Sequence, residues 1–452
     1  MSPDSSRAEP VGPHPALVEL AAGRGLPKVS DPMPMVRSAF AHGMAGLLLT
    51  DVEQTDQQWR RLVLGLLRAR HASVEAWHQR LWRGIESIGG IFDDLGVEVA
   101  IAKGIAAEAR WYSRLGERPC SDLDLLLSPA HLSRIDDIIA AVEPTHPLCG
   151  KTLDLAQRGF LQSIDLVHDG VPIDLHWDIL KIGIPSRNRD IIWERTLPFP
   201  LPNRSSVRML DAETSYIHFL VHLNKDRFRR LLGFVDVARV YDREELDGAI
   251  VERLVRIDGI KTSVDESWNV VVSTLDLAAP RRESTPGIRA VIWRLAWPPS
   301  VRLRTEESRI RFLYRQYLIA LLIPGRTIEA IWSWLHGRFP PAELLAYIHS
   351  DYTRRWGLNS VSSTQHTRIW SLTIGRVKAW WGRRRGVARI RKKAGSAPKE
   401  RGLRRRRPQV AGIRHGITRT YGSASSTLRK AALSARYRGR RSPMHKAYPP
   451  SQ

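Results

Sequence analysis

Asp122 and Asp124 stand two apart in Asp122-Leu123-Asp124-Leu125-Leu126, a run that predicts a buried strand over 122–127. A strand alternates faces, so both carboxylates point one way while Leu123 and Leu125 point into a core. Two acids on one face repel, and a fold tolerates them chiefly where a cation sits between them. Oxygen ligands of this kind suit Mg2+ (or Mn2+). A solvated strand end is the other meaning of an isolated Asp-x-Asp. A third carboxylate, Asp174, lies in Pro172-Ile173-Asp174-Leu175-His176-Trp177, where it shares a face with His176. On a neighbouring strand it would complete a two-metal site, in which ions roughly 4 Å apart stabilise the attacking and leaving oxygens of phosphoryl chemistry. Asp165, one strand earlier, competes for that place. Lys103-Gly104 ends a short β-rich run and precedes an Ala-rich helix. Glycine lets backbone approach a ligand, a helix start favours anions, and Lys103 would meet a phosphate as a point charge. The Gly-x4-Gly-Lys-Ser/Thr pattern of a P-loop is absent.

His218 and His222 are four apart on a predicted helix, a spacing that suits a metal, but Phe219 follows His218 and the metalloprotease His-Glu-x-x-His is absent. A core or acceptor-side role is the expectation. His222 with Asp236 would form a polar pair lining the cleft between domains, and His176 would contact substrate or simply hydrogen-bond beside the acids. Cys120 flanks the acid pair with no His and acid at a nucleophile's spacing, so it reads as a small buried residue.

The elements that must position these residues follow from periodicity. Leu62, Leu66, Leu67, Leu81, Ile85 and Ile88 repeat at helical spacing over 57–93. Strands are predicted at 97–102, 122–127, 163–168 and 171–177, with helices at 105–115 and 129–142 between them. Asp169-Gly170 joins the last two strands as a two-residue hairpin turn. This order describes a compact α/β unit with a mixed sheet. From 211 onward the pattern is helical, clearest over 214–223, 230–241 and 247–256; residues 280–305 read as a linker and 307–353 as further helices. The expected organisation is a partly disordered leader (1–56), an α/β domain with N-terminal helices (57–205), a helical domain (206–375) and a basic, disordered tail (376–452).

Charge supports that tail. Residues 376–452 carry 24 of the 70 Lys and Arg and one of the 46 acids, Glu400; the other 46 bases and 45 acids leave residues 1–375 near neutral. The net charge of +24 therefore says nothing of nucleic-acid binding by the body. The tail is expected to contact polyanions without sequence preference, with Trp380 and Trp381 available for stacking. Two cysteines, Cys120 and Cys149, exclude a disulfide framework or a Cys-rich zinc module. No apolar run approaches the roughly 20 residues of a spanning helix, and the start has no secretory pattern, so a cytoplasmic protein without a transmembrane segment is expected.

Taken together, Lys103-Gly104, then Arg118-Pro119-Cys120-Ser121-Asp122-Leu123-Asp124, then Ile173-Asp174-Leu175-His176-Trp177 resemble the nucleotidyltransferase superfamily. Within it they resemble the uncharacterised bacterial nucleotidyltransferase-like proteins, where Lys-Gly replaces the Gly-Ser of polymerase-β-type enzymes. His222-Leu223, Phe234-Val235-Asp236-Val237-Ala238 and Phe339-Pro340-Pro341 resemble the later segments of that group, and the likeness covers residues 60–355. The resemblance implies transfer of a nucleoside monophosphate from an NTP, ATP first among them, to an unknown acceptor hydroxyl. It implies that Asp122 and Asp124 bind both metals, and that Asp174 binds the catalytic one and helps deprotonate the acceptor. Lys103, Gly104 and Ser121 would lie near the triphosphate. Arg118 would join them there or pair structurally with the site's acids. His176, His222 and Asp236 would stand on the acceptor side. The alternatives are a nucleotide-binding pseudoenzyme, or a nucleic-acid-binding or scaffold protein acting through its tail.

Overall fold

The structure, a computed structural model, describes residues 12–179, 185–201, 206–226 and 228–282, with a few isolated positions from 290 to 344. The chain divides into two compact units, Met1–Ile348 and His349–Gln452. The second unit, the tail included, lies outside the described residues, as do Phe339 and Pro340.

Three helices come first: α1 (Pro15–Ala21), α2 (Pro32–His42) and α3 (Ala45–Val52). Within the segment expected to be a partly disordered leader, Leu17, Met35, Val36 and Leu48 are buried in a core shared with the later helices. Pro15 in α1 and Pro32 in α2 occupy first turns, where a backbone N–H has no partner to lose. Asp31 caps α2 by accepting from the Met33 amide at 3.0 Å.

Helix α4 (Arg60–Leu95) is one 36-residue rod, about 54 Å long at 1.5 Å per residue. Its buried stripe runs Val63, Leu67, His71, His78, Leu81, Ile85, Ile88, Phe92. Leu62 and Leu66 lie off that stripe and are exposed. The first half of α4 packs with α3, and the second half underlies the sheet.

The sheet has six strands: β1 (Val99–Ile101), β2 (Leu123–Leu127), β3 (Ser163–His168), β4 (Val171–His176), β5 (Leu197–Pro198) and β6 (Val207–Met209). Their order is β3-β4-β2-β1-β6-β5. It is a mixed sheet: β2 runs parallel to β4 and β1 to β6, and the other pairs are antiparallel. The expected boundary at 205/206 thus falls inside the sheet, since β6 extends it beyond β1. Short helices connect the strands: α5 (Ile105–Trp111), α6 (Ile135–Val142) after a 3₁₀ turn, α7 (Thr152–Gln157) and α8 (Arg189–Glu194). Asp169 and Gly170 both have positive φ, +49° and +70°, as a tight turn from β3 into β4 requires.

One sheet face is apolar. Leu123, Leu125, Leu127, Ile173 and Leu175 pack there with Ile85, Ile88 and Phe92 of α4 and Ile135, Ile138 and Ile139 of α6. Ala100 and Leu126, on the opposite face, join the core of the helical half. That half comprises α9 (Ala212–Lys225), α10 (Leu231–Arg243), α11 (Gly248–Ile257) and α12 (Lys261–Leu275). Within the stretch read as a linker, Trp293 is buried and meets Phe228 edge-on at 5.9 Å.

Gly46 fixes how α3 meets the loop before β2. A Cβ there would fall 2.6 Å from the Glu117 carbonyl oxygen and 2.7 Å from its Cα, and backbone cannot yield as a flexible side chain does. Gly46→Ala is therefore expected to destabilise by about 1–3 kcal/mol. Gly65→Ala, on an exposed stretch of α4 with nothing within 4 Å, should stabilise slightly. Urea unfolding of both variants checks the contrast.

Candidate active site

The acids converge because of strand register. Asp124 stands directly opposite Asp174 across the parallel β2–β4 ladder, so both carboxylates leave the same face. His176, two residues along β4, shares that face. One ligand atom each from Asp124, Asp174 and His176 lies within 4.8 Å of the others. This is the one such group among the described residues. Asp165 sits opposite Asp174 on β3 and also shares the face, but is not part of the group. Asp122 precedes the strand and is half-buried, and it accepts from the Ser121 hydroxyl at 3.1 Å.

Opposite the acids stand cations and histidines. Lys103 Nζ lies 3.1 Å from Asp124 Oδ1 and donates to His222 Nε2 at 2.9 Å. His222 Nε2 is therefore an acceptor, and its Nδ1–H faces Asp226 Oδ2 at 3.3 Å. His176 Nε2 lies 3.3 Å from Asp124 Oδ1 and 3.1 Å from Asp174 Oδ2. Lys103, Asp124, Asp174, His176, His218 and His222 line a cavity of about 30 Å³ between the sheet and α9. That is room for an ion or a water, not for a nucleotide.

The charges shift one another. Burial would raise the Asp124 carboxyl, but Lys103 and then the His176 hydrogen bond outweigh it and hold it down to about 2. Asp122 goes the other way: burial and the Asp124 charge push it up against the pull of Lys103. For Lys103 burial works downward, and the Asp124 and Asp122 carboxylates more than offset it, leaving it raised. Burial and then Lys103 depress His218 to about 3 and His222 well below its ordinary value.

A sheet carrying two opposed carboxylates, with a Lys-Gly turn beside them, is the architecture the motifs imply. Over residues 29–273, more than half its length, the chain matches the family described as uncharacterised nucleotidyltransferase. It belongs to that family. Membership implies a nucleotide substrate and group transfer as the reaction class. No curated protein and no solved structure matches the chain. No helix among the described residues is long and apolar enough to cross a membrane.

Other expected site residues occupy different places. Gly104 adopts φ +62° and ψ −113°, a conformation left to glycine, at the turn from β1 into α5. Arg118 and Asp236 are not at the cavity. Arg118 Nε and Nη2 each donate to one oxygen of Asp236 at 2.8 Å, and the Tyr112 hydroxyl donates to Asp236 Oδ1 at 2.6 Å. All three are buried. The expected His222–Asp236 pair is thus replaced by His222 with Lys103 and Asp236 with Arg118. On α10, Asp236 faces the loop 112–122 and is consumed by it.

Sequence reasoning passed over a second support of that loop. Glu108 Oε1 accepts from the Gly116 amide at 2.8 Å, while Oε2 receives His78 Nδ1–H at 2.7 Å. His78 Nε2 in turn accepts from the Cys120 amide at 3.2 Å. The partners are 30 and 42 residues apart, so no local spacing reports them. His218 was set aside on sequence. It is 6% exposed, lines the cavity, and neither ring nitrogen has a hydrogen-bond partner among the described residues. Its spacing from His222 was the available signal.

Two expectations follow. Arg118→Met strands a buried carboxylate, so it should cost about 3–5 kcal/mol in thermal or urea unfolding, and adding Asp236→Leu should recover much of it. An arginine serving only a triphosphate would leave stability unchanged. His218 has a folded pKa of about 3. Below its ordinary value the unfolded chain takes up a proton that the folded chain refuses, so stability falls as pH drops from about 6.5 toward 3. His218→Phe should melt with a smaller loss between pH 7.5 and 5.5 than the parent protein, measured by calorimetry.

Proposed function

We propose that the protein transfers a nucleoside monophosphate from an NTP to an acceptor hydroxyl. The observation that carries this is the register pairing of Asp124 with Asp174 beside Lys103, in a chain of the nucleotidyltransferase family. Two carboxylates and an imidazole nitrogen within 4.8 Å, beside a cavity the size of an ion, form a donor set that fits a divalent cation. When bound, divalent ions neutralise the triphosphate and align in-line attack. Asp124 and Asp174 would hold the ion, and Asp122 would supply the carboxylate for a second. Lys103 is held by Asp124 at 3.1 Å, and its ammonium would meet the triphosphate once that carboxylate served a metal ion. Ser121 hydrogen-bonds Asp122, and Gly104 lies against the Cys120–Asp122 stretch beside it. Arg118 and Asp236 act as positioning residues, because they set the loop that delivers Asp122. Asp174 would also accept the acceptor's proton. Cytoplasmic location and polyanion contact through residues 376–452 belong to this proposal as well.

The test is transfer of labelled nucleotide from each NTP, with pyrophosphate release, on the full chain with Mg2+ or Mn2+. Asp124→Asn and Asp174→Asn should each lower transfer by about a hundredfold or more, the size of loss when one preorganised electrostatic group is removed. Asp122→Asn should also lose transfer while its metal-free melting temperature stays level or rises slightly, since burial and the Asp124 charge both work against its ionised form. Lys103→Ala should act mainly on NTP binding. Variants that keep parental transfer would defeat the proposal; NTP binding without pyrophosphate release would assign a nucleotide-binding pseudoenzyme instead.

A further inference from the structure

We infer that the cavity takes a first-row transition-metal dication in preference to Mg2+, with His176 Nε2 as a nitrogen ligand beside the Asp124 and Asp174 carboxylates. The inference rests on the nucleotidyl-transfer reading only for what the ion does, and not for which ion binds.

His176 Nε2 is 3.3 Å from one carboxylate and 3.1 Å from the other. A single N–H serves both carboxylates only as a shared three-centre bond, whereas one cation between the three atoms engages each of them directly. Every hydrogen bond or ion-pair contact of the ring runs through this nitrogen, since Nδ1 has no hydrogen-bond partner among the described residues. Strand geometry supplies the arrangement: His176 follows Asp174 by two on β4, and Leu126, its ladder partner, is two beyond Asp124. The cavity is also short of a partner from the helical side. His218, buried with both ring nitrogens unpaired, lines it from α9. The ammonium of Lys103 already rests on the Asp124 oxygen that His176 approaches, so a cation is at home there.

Mg2+ demands near-ideal octahedral oxygen coordination and gives up water reluctantly. An imidazole nitrogen therefore contributes little to Mg2+ affinity. The same nitrogen strengthens binding of transition ions in the Irving–Williams order, in which Mn2+ is the weakest. A preference for Mn2+ over Mg2+ is thus a lower bound for the series, and Mn2+ is paramagnetic.

The experiment uses the full chain without nucleotide. Calorimetric titration should give a Kd for Mn2+ at least tenfold below that for Mg2+. Electron spin-echo modulation of bound Mn2+ should show a coupled 14N. In His176→Gln and His176→Ala the Mn2+/Mg2+ ratio should fall below threefold and the 14N signal should vanish, with far-UV circular dichroism confirming that each variant is folded. His218→Phe should keep the signal. Equal parental affinities for the two ions, a 14N signal that survives loss of His176, or one that disappears only in His218→Phe would each overturn the inference. None of these results touches the transfer proposal, which stands or falls on labelled-nucleotide transfer by the parent and its Asp124 and Asp174 variants.

Discussion

Asp124 and Asp174 face each other across a parallel ladder, and that opposition of like charges is the constraint around which the site is organised. At about 5 Å and an effective dielectric near 20, two such charges repel by about 3 kcal/mol. The register holds because the reverse face is apolar: Leu123, Leu125, Leu127, Ile173 and Leu175 are all buried. Each contributes about 1.5–3 kcal/mol by leaving water, so the leucines decide the register and the acids follow. A slip of one residue would send the carboxylates into that core and the leucines into the cleft. The repulsion is then offset on the acidic face by Lys103 and by His176.

The loop before β2 is held by a different economy of charge. It carries Asp122 into place yet has no regular structure of its own, and it is gripped from three sides. Asp236 of α10 binds Arg118 and Tyr112, Glu108 of α5 binds the Gly116 amide, and His78 of α4 binds the Cys120 amide. Arg239 of α10 adds Glu117 at 3.2 Å and lies over the Tyr112 ring at 4.1 Å. Buried charges of this kind bring little net stability, but losing one member is costly, which is how a loop becomes as fixed as a strand. The helical half is thus part of the site twice over: α9 walls the cavity, and α10 anchors the loop.

Most of the sheet was legible in the sequence because strand signals are local. Alternation at Asp122–Asp124 and Asp174–His176, and the turn at Asp169-Gly170, needed no partner to be read. The short strands β5 and β6 escaped because two or three residues carry no periodicity. The helices of residues 15–52 are not legible in the sequence, because proline in a first turn and proline in a coil look alike in one dimension. Leu62 and Leu66 share the helical spacing of α4, yet they are exposed, because spacing alone does not say which face a neighbour covers.

For the candidate site, the sequence by itself determined which carboxylates share a face, which turn needs a glycine, and which family the motifs resemble. Those follow from the two-residue repeat of a strand and the conformational freedom of one residue type. Only the tertiary structure decided that Asp174 rather than Asp165 joins Asp124 in the ion-sized group, that His176 and His218 face the same cavity, and that Arg118 belongs to Asp236. Each of those decisions pairs side chains far apart in the chain, 118 residues in the last case. Such pairs are chosen by how whole elements pack, and packing minimises buried unpaired charge across the molecule rather than along any stretch of sequence.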